Sequence, residues 1–242
     1  WPWPREKLAR LVDALQKQQV RLIGFDVVFS EAELNPVSQV LASGQLSEAT
    51  ATELQPLVAQ LDGDSQFAKV ISKNTVLGYF LHNSGGIHVG ELPAPILRID
   101  SKDKNKLSMN FMPDYTGNLP MFAKTVVGAG FVTTLPDVDG VMRRSPLVLR
   151  YEDGLYSSLS LELAKIYLNA PFVKLQTVKS GSQLRLESLS IGNTIIHTDE
   201  SGVALIPYKG KGHSYPYISA TDVLNNPNAI PALKGAIVLI GT

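Results

Sequence analysis

The sequence predicts a mixed α/β chain: a single domain over residues 1–242 with a central mixed, partly parallel sheet flanked by helices. Three observations predict it. Apolar runs of strand length stand at Val20–Phe29, Thr75–Leu81 and Ala236–Gly241, as in strands buried on both faces, which parallel sheets favour. Helical patterns lie between and after them. Leu184–Lys209 breaks short strand-length runs with turn residues, the pattern of a meander.

Arg5–Gln18 opens the chain as a helix, because Leu8, Leu11, Val12 and Leu15 recur at three- and four-residue spacing. Val20–Phe29 follows as a strand, interrupted only by Arg21 and Asp26. Residues 31–63 are polar and Ala-rich and read as a variable helical excursion at the surface. Ser47–Leu61 is its helix, and Pro56 kinks or breaks it. Asp64–Ser72 is a short helix and Thr75–Leu81 a strand, so strand, helix, strand implies a parallel crossover. A Gly/His loop (Asn83–Gly90), Pro-rich turns around Leu92–Ile96 and a charged turn at Lys102–Lys106 come next. Residues 128–151 read as a hairpin: Gly130–Leu135, an Asp/Gly turn, then a second strand. After the Asp153-Gly154 turn, Ser158–Leu168 is a helix. The meander spans 184–210: Leu186–Ile191, a tight Gly192-Asn193 turn, Thr194–His197, a turn at Asp199–Gly202, then Val203–Tyr208. Ser219 caps a helix, with Asp222 three residues on, and Ala236–Gly241 ends the chain as a buried strand.

The apolar fraction, 44%, suffices for a substantial core. Lys and Arg (22) balance Asp and Glu (22), so no broad field draws the chain to nucleic acid or anionic lipid. Aromatics do not interleave with a basic patch, which also argues against nucleic acid. The absence of cysteine excludes disulfides, thiolate metal sites and cysteine nucleophiles. No window reaches the roughly 20 apolar residues of a membrane span, and no signal peptide is present. The chain starts at Trp1 and stops at Thr242, directly after a strand, so both ends read as cut. Trp1-Pro2-Trp3-Pro4-Arg5 is either an interfacial anchor or a Pro-rich leader to the first helix.

The densest chemistry lies in Gly128–Leu147, where Asp137 and Asp139 sit on a turn just before Arg143 and Arg144. Alternation along a strand sends two adjacent arginines to opposite faces. One would stay in water and the other would reach inward, to a carboxylate, a carbonyl or a bound anion. Pro136-Asp137-Val138-Asp139-Gly140-Val141-Met142-Arg143-Arg144-Ser145-Pro146-Leu147 follows a pattern PDxDGxxRRxPL. Further motifs follow in order: Gly24–Phe29, Ser158–Glu162, Thr198–Gly202, Ile206–Gly210, Ser219–Leu224 and Gly235–Thr242. Together they resemble the second type of CHASE domain, the extracellular sensory module of bacterial receptors attached to cyclases and kinases. The chain departs from that family at Pro207 and Lys209, where Asn and Arg are usual. The resemblance implies an extracytoplasmic (periplasmic or cell-surface) sensor of an inner-membrane receptor. Membrane helices absent from this chain would flank it, and the cytoplasmic output would be a nucleotide cyclase, a diguanylate cyclase or a kinase.

The candidate ligand-binding residues are Asp26, Asp137, Asp139, Arg143, Arg144, Asp199 and Tyr208. Asp26, an acid in an apolar strand, needs a partner or a place at a strand end facing a cleft. Arg143 and Arg144 either grip an anion or pair with Asp137, Asp139 or Asp26. Asp137-x-Asp139-Gly140 fits the first two ligands of a calcium loop, but no carboxylate follows at the remaining positions. His82, His88, His197 and His213 are scattered without metal spacing, and no nucleophile elbow, P-loop, dinucleotide fingerprint or zinc-protease motif occurs. No catalytic residue, metal or cofactor is therefore assigned. The partners expected are an unidentified small molecule or ion, the membrane through the flanking helices, and a second copy in a homodimer. A secreted solute-binding or hydrolase domain and a ligand-free dimerisation module are the alternatives.

Overall fold

The computed structural model describes residues 3–100, 103, 106–212, 214–226 and 233–241. Trp1, Pro2, His213 and Thr242 lie outside them. Of the charged turn at Lys102–Lys106, only Asp103 and Lys106 are described, joined by an ion pair of 2.7 Å.

Helix α1 (Arg5–Lys17) buries Leu8, Leu11, Val12 and Leu15, the face its spacing predicts. Strand β1 (Leu22–Phe25) is buried along its whole length. Helix α2 (Pro36–Ala42) starts where the Asn35 side chain accepts from Val37 N and Ser38 N. Helix α3 (Glu48–Gln60), capped by Ser47, runs through Pro56. Neither α2 nor α3 has a buried residue. Helix α4 (Gly63–Ile71) puts Phe67 and Ile71 into the core. Strands β2 (Thr75–His82), β3 (His88–Val89), β4 (Leu97–Arg98) and β5 (Asp114–Thr116) precede the short helix α5 (Pro120–Ala123). Then come β6 (Gly128–Phe131), β7 (Arg144–Pro146), β8 (Val148–Tyr151), β9 (Gly154–Ser157) and helix α6 (Leu159–Tyr167). The last third holds β10 (Val173–Ser180), β11 (Gln183–Ile191), β12 (Thr194–His197), β13 (Val203–Leu205), helix α7 (Ala220–Asn225) and β14 (Ile237–Ile240).

The central sheet is mixed, in the order β14-β1-β2-β5-β3, with β6 also on β2. Strands β14, β1, β2 and β6 are parallel, and β5 returns antiparallel along the end of β2. Helices α1, α4 and α5 cover one face. There Phe25, Phe29, Phe67 and Phe122 pack edge to face at centroid distances of 5.1–5.9 Å. Each such pair is worth about 0.5–1.5 kcal/mol beyond its burial. Helix α6 covers the other face with Leu159 and Leu163. It lies so close that a Cβ on Gly130 would stand 2.5 Å from Leu159 backbone, so only glycine fits there. Leu161 of α6 enters another core, between β4-β9-β8 and the β10-β11-β12 sheet.

Four expectations need correction. The Val20–Phe29 strand stops at Phe25, because past it the chain leaves the sheet and Asn118 captures Phe29 N. The 128–151 hairpin does not form: β6 spends its edge on β2, while β7 pairs antiparallel with β13 and β8 with β9. The 184–210 meander holds only as the β11–β12 hairpin, whose Gly192 adopts φ +56° at the turn. Strand β13 leaves it for β7, and β10, unforeseen in a polar stretch, completes that sheet. Finally, β14 is an edge strand rather than a buried one, and Leu239 on it is 67% exposed.

Candidate functional site

The stretch after β6 turns back on itself through a tight loop. Gly140 N donates to Asp137 O (2.8 Å) and Asp137 N to Val141 O (3.2 Å). Gly140 takes φ +78°, a conformation that favours glycine. The Asp139 carboxylate accepts from Val141 N at 3.1 Å, a turn made by its own side chain. This loop aims both carboxylates at the arginines that follow. Arg143 holds Asp139 through two parallel bonds (2.9 and 2.8 Å) and reaches Asp137 at 3.2 Å. Arg144 holds Asp137 through Nε (3.1 Å) and Nη2.

The expected splitting of the arginines to opposite faces is therefore wrong. Strand β7 begins at Arg144, so Arg143 still belongs to the turn and the alternation of a strand does not govern the pair. Both guanidinium groups converge on Asp137, and both stay about half in water, at 53% and 51% side-chain exposure. Asp137 is the more enclosed carboxylate, at 16%.

Electrostatics follow from this geometry. The Arg144 hydrogen bonds, then those of Arg143, hold the Asp137 carboxyl below its ordinary range. Arg143 does the same to Asp139. In return, Asp139 and then Asp137 raise Arg143, and Asp137 raises Arg144. The cluster is a neutral latch of two cations and two anions. An incoming anion would have to displace a carboxylate, and an incoming cation a guanidinium.

The structure brings six of the seven candidate residues to one place. Tyr208 Oη donates to Met142 O, between the turn and Arg143. Asp199 caps its own turn by accepting from Ser201 N (2.9 Å) and Val203 N (3.0 Å), and its charge also raises Arg144. The β13–β7 register, Leu205 opposite Arg144, delivers both to the latch. Asp26 stands apart. It is exposed at the carboxyl end of β1, its N–H donates to Ile240 O at 2.8 Å, and it pairs with neither arginine.

Other polar sites were not foreseen. Asp114 is 3% exposed and accepts from Gly86 N (3.0 Å), with His88 Nε2 3.0 Å away and the His88 ring stacked on Tyr115. Arg5 meets the enclosed Asp64 at 3.2 Å, while Glu33 N donates to the same carboxylate at 2.8 Å. Glu162 is buried against Ser157 (2.9 Å) and Lys165 (2.8 Å). Only Glu162 carried a signal in sequence, as the acid closing Ser158–Glu162. The partners of Asp114 and Asp64 come from distant chain segments that no local pattern joins. Among the described residues, no group of three or more His, Asp or Glu is placed to hold a metal. Two open grooves, of about 260 Å³ between α1 and α7 and about 350 Å³ beside Asn169–Lys174, do not touch the latch.

Among comparisons with known proteins, the family model described as the CHASE2 domain matches residues 1–242, the whole chain. No curated protein and no solved structure matches it.

Proposed function

The chain belongs to the CHASE2 family of sensory extracellular domains, and from that premise we propose that it is the extracytoplasmic sensor of a bacterial transmembrane receptor. The observation that carries the proposal is the family match across residues 1–242. No helix among the described residues is long and apolar enough to cross a membrane; in the proposed receptor the spans lie in segments flanking this chain. The output is a nucleotide cyclase, a diguanylate cyclase or a kinase on the far side of the membrane. A small molecule or ion that binds two arrangements of the domain unequally shifts that output, and pairing in a homodimer turns the shift into relative motion. The Asp137–Arg144 latch, with Asp199 and Tyr208 beside it, is the proposed point of ligand entry, because its charges are accessible yet mutually held.

A reporter inserted in the parent receptor at Gly181, on the exposed β10–β11 turn, tests placement. Alkaline phosphatase, whose disulfides need an oxidising compartment, should be active there and β-galactosidase inactive. The reverse pattern would overturn the proposal.

A further inference from the structure

Apart from Tyr208, the segment that follows from the end of β13 has features that the sensor reading leaves unused. From Gly202 to Thr221 the sequence holds no acid, yet it carries Lys209 and Lys211 and three of the chain's eight tyrosines. The described residues from Pro207 to Tyr217 are all exposed and form no helix or strand. Leu205, Tyr208, Tyr215 and Tyr217 are between 60% and 79% exposed. Lys209 holds its ammonium 5.7 Å above the Tyr215 ring. The hydrogen bond from Tyr208 to Met142 O ties this segment to the neighbouring turn, whose tip presents Val138 fully exposed and Val141 nearly half exposed.

The charges of this joint surface add simply. Asp137 and Asp139 cancel Arg143 and Arg144 within the latch, and Asp199 beside Arg144 adds one negative charge, so with Lys209 and Lys211 the joint surface keeps a single net positive charge, carried on the acid-free segment. Apolar tips, amphipathic tyrosines and lysines without acids form the composition of the bilayer interface. There, aromatic rings sit at headgroup depth and ammonium groups meet phosphate. A protein partner would favour a desolvated central pocket ringed by polar groups, and neither groove named above lies on this surface.

We infer that Leu205, Tyr208, Lys209, Lys211, Tyr215 and Tyr217, with the Val138 tip, rest on an anionic phospholipid surface. The membrane is then a direct contact of the sensor and not only an anchor for flanking helices. The inference rests on the extracytoplasmic reading for which leaflet is met, but vesicle binding and the fusion reporter fail independently.

Flotation of the 242-residue chain with vesicles tests it. Binding is expected to vesicles of phosphatidylcholine with phosphatidylglycerol, to fall at high salt, and to be much weaker on phosphatidylcholine alone. At about fivefold per lysine, K209Q/K211Q should bind roughly thirtyfold more weakly, and Y215S/Y217S should also lose binding while circular dichroism stays unchanged. No flotation on anionic vesicles, or flotation untouched by K209Q/K211Q, would overturn the inference. So would lipid-independent self-association abolished by Y215S/Y217S, which would assign the surface to a second copy.

Discussion

Single side chains decide two features of this molecule. Asn118 is 2% exposed and clamps two backbone groups, accepting from Phe29 N (2.8 Å) and donating to Gly78 O (2.8 Å). Asn118→Ala leaves both buried groups unpaired, at about 1–3 kcal/mol for each. Urea unfolding of the variant should show about 2–6 kcal/mol lost, and a loss under about 1 kcal/mol would mean that water replaces the amide. Asp137 offers a second test. Its folded-state pKa lies below the unfolded value of about 3.9. Its contribution is thus fully present above that value and is lost as pH falls through the folded pKa. A carboxyl NMR titration should place the Asp137 midpoint below that of a free aspartate. Arg144→Ala should move it upward, because Arg144 is the largest cause of the shift. An unmoved midpoint would show that water already screens the pair.

At the scale of elements, the unforeseen ion pair fastens α1 to α4. Arg5 donates to Asp64 at 3.2 Å and to Glu31 O at 3.1 Å, while its guanidinium lies 4.5 Å from the centre of the Phe29 ring. Breaking such an enclosed pair from one side strands the other charge, so Arg5→Met should cost about 3 kcal/mol in chemical denaturation. Arg5→Met/Asp64→Leu should recover much of that loss. If instead the two single losses simply add, the groups are not coupled. Elements built on local pattern were legible beforehand: α1 from its apolar spacing, α6 as the helical stretch after the Asp153-Gly154 turn, α7 from Ser219 at its cap, β2 from its apolar run. Elements defined by a distant partner were not. Strand β10 exposes most of its residues and exists because β11 pairs with it, and β7 exists because β13 does. The latch shows the same division. Its residue types and turn could be read from Asp137–Arg144, but the joint aim of both arginines at one carboxylate depends on where β7 begins.

Across the whole molecule, the sheet is closed by its most distant pairing, Leu22 opposite Ile237. Helix α1 starts over Phe29, past the end of β1, and β14 finishes where Asp26 N donates to Ile240 O. The start of α1 and the end of β14 therefore both lie near the carboxyl end of β1. In the proposed receptor, any signal carried by these two elements has to change their placement about that strand. A Cβ built on Gly241 lies 3.6 Å from Asp26 Cβ, inside the range a disulfide spans, and the chain has no other cysteine to compete. Asp26→Cys/Gly241→Cys should oxidise readily, and closing a loop of about 215 residues (241 − 26) should stabilise the fold by about 5 kcal/mol. A melt of the oxidised and reduced forms reads this directly, and failure to crosslink would contradict the placement of β14. In the parent receptor the same bond separates two mechanisms. Output that freezes on oxidation and recovers on reduction puts movement of β14 against β1 in the signalling path. Output that responds equally in both forms means that β1 and β14 move as one body and that the change travels through α1 alone.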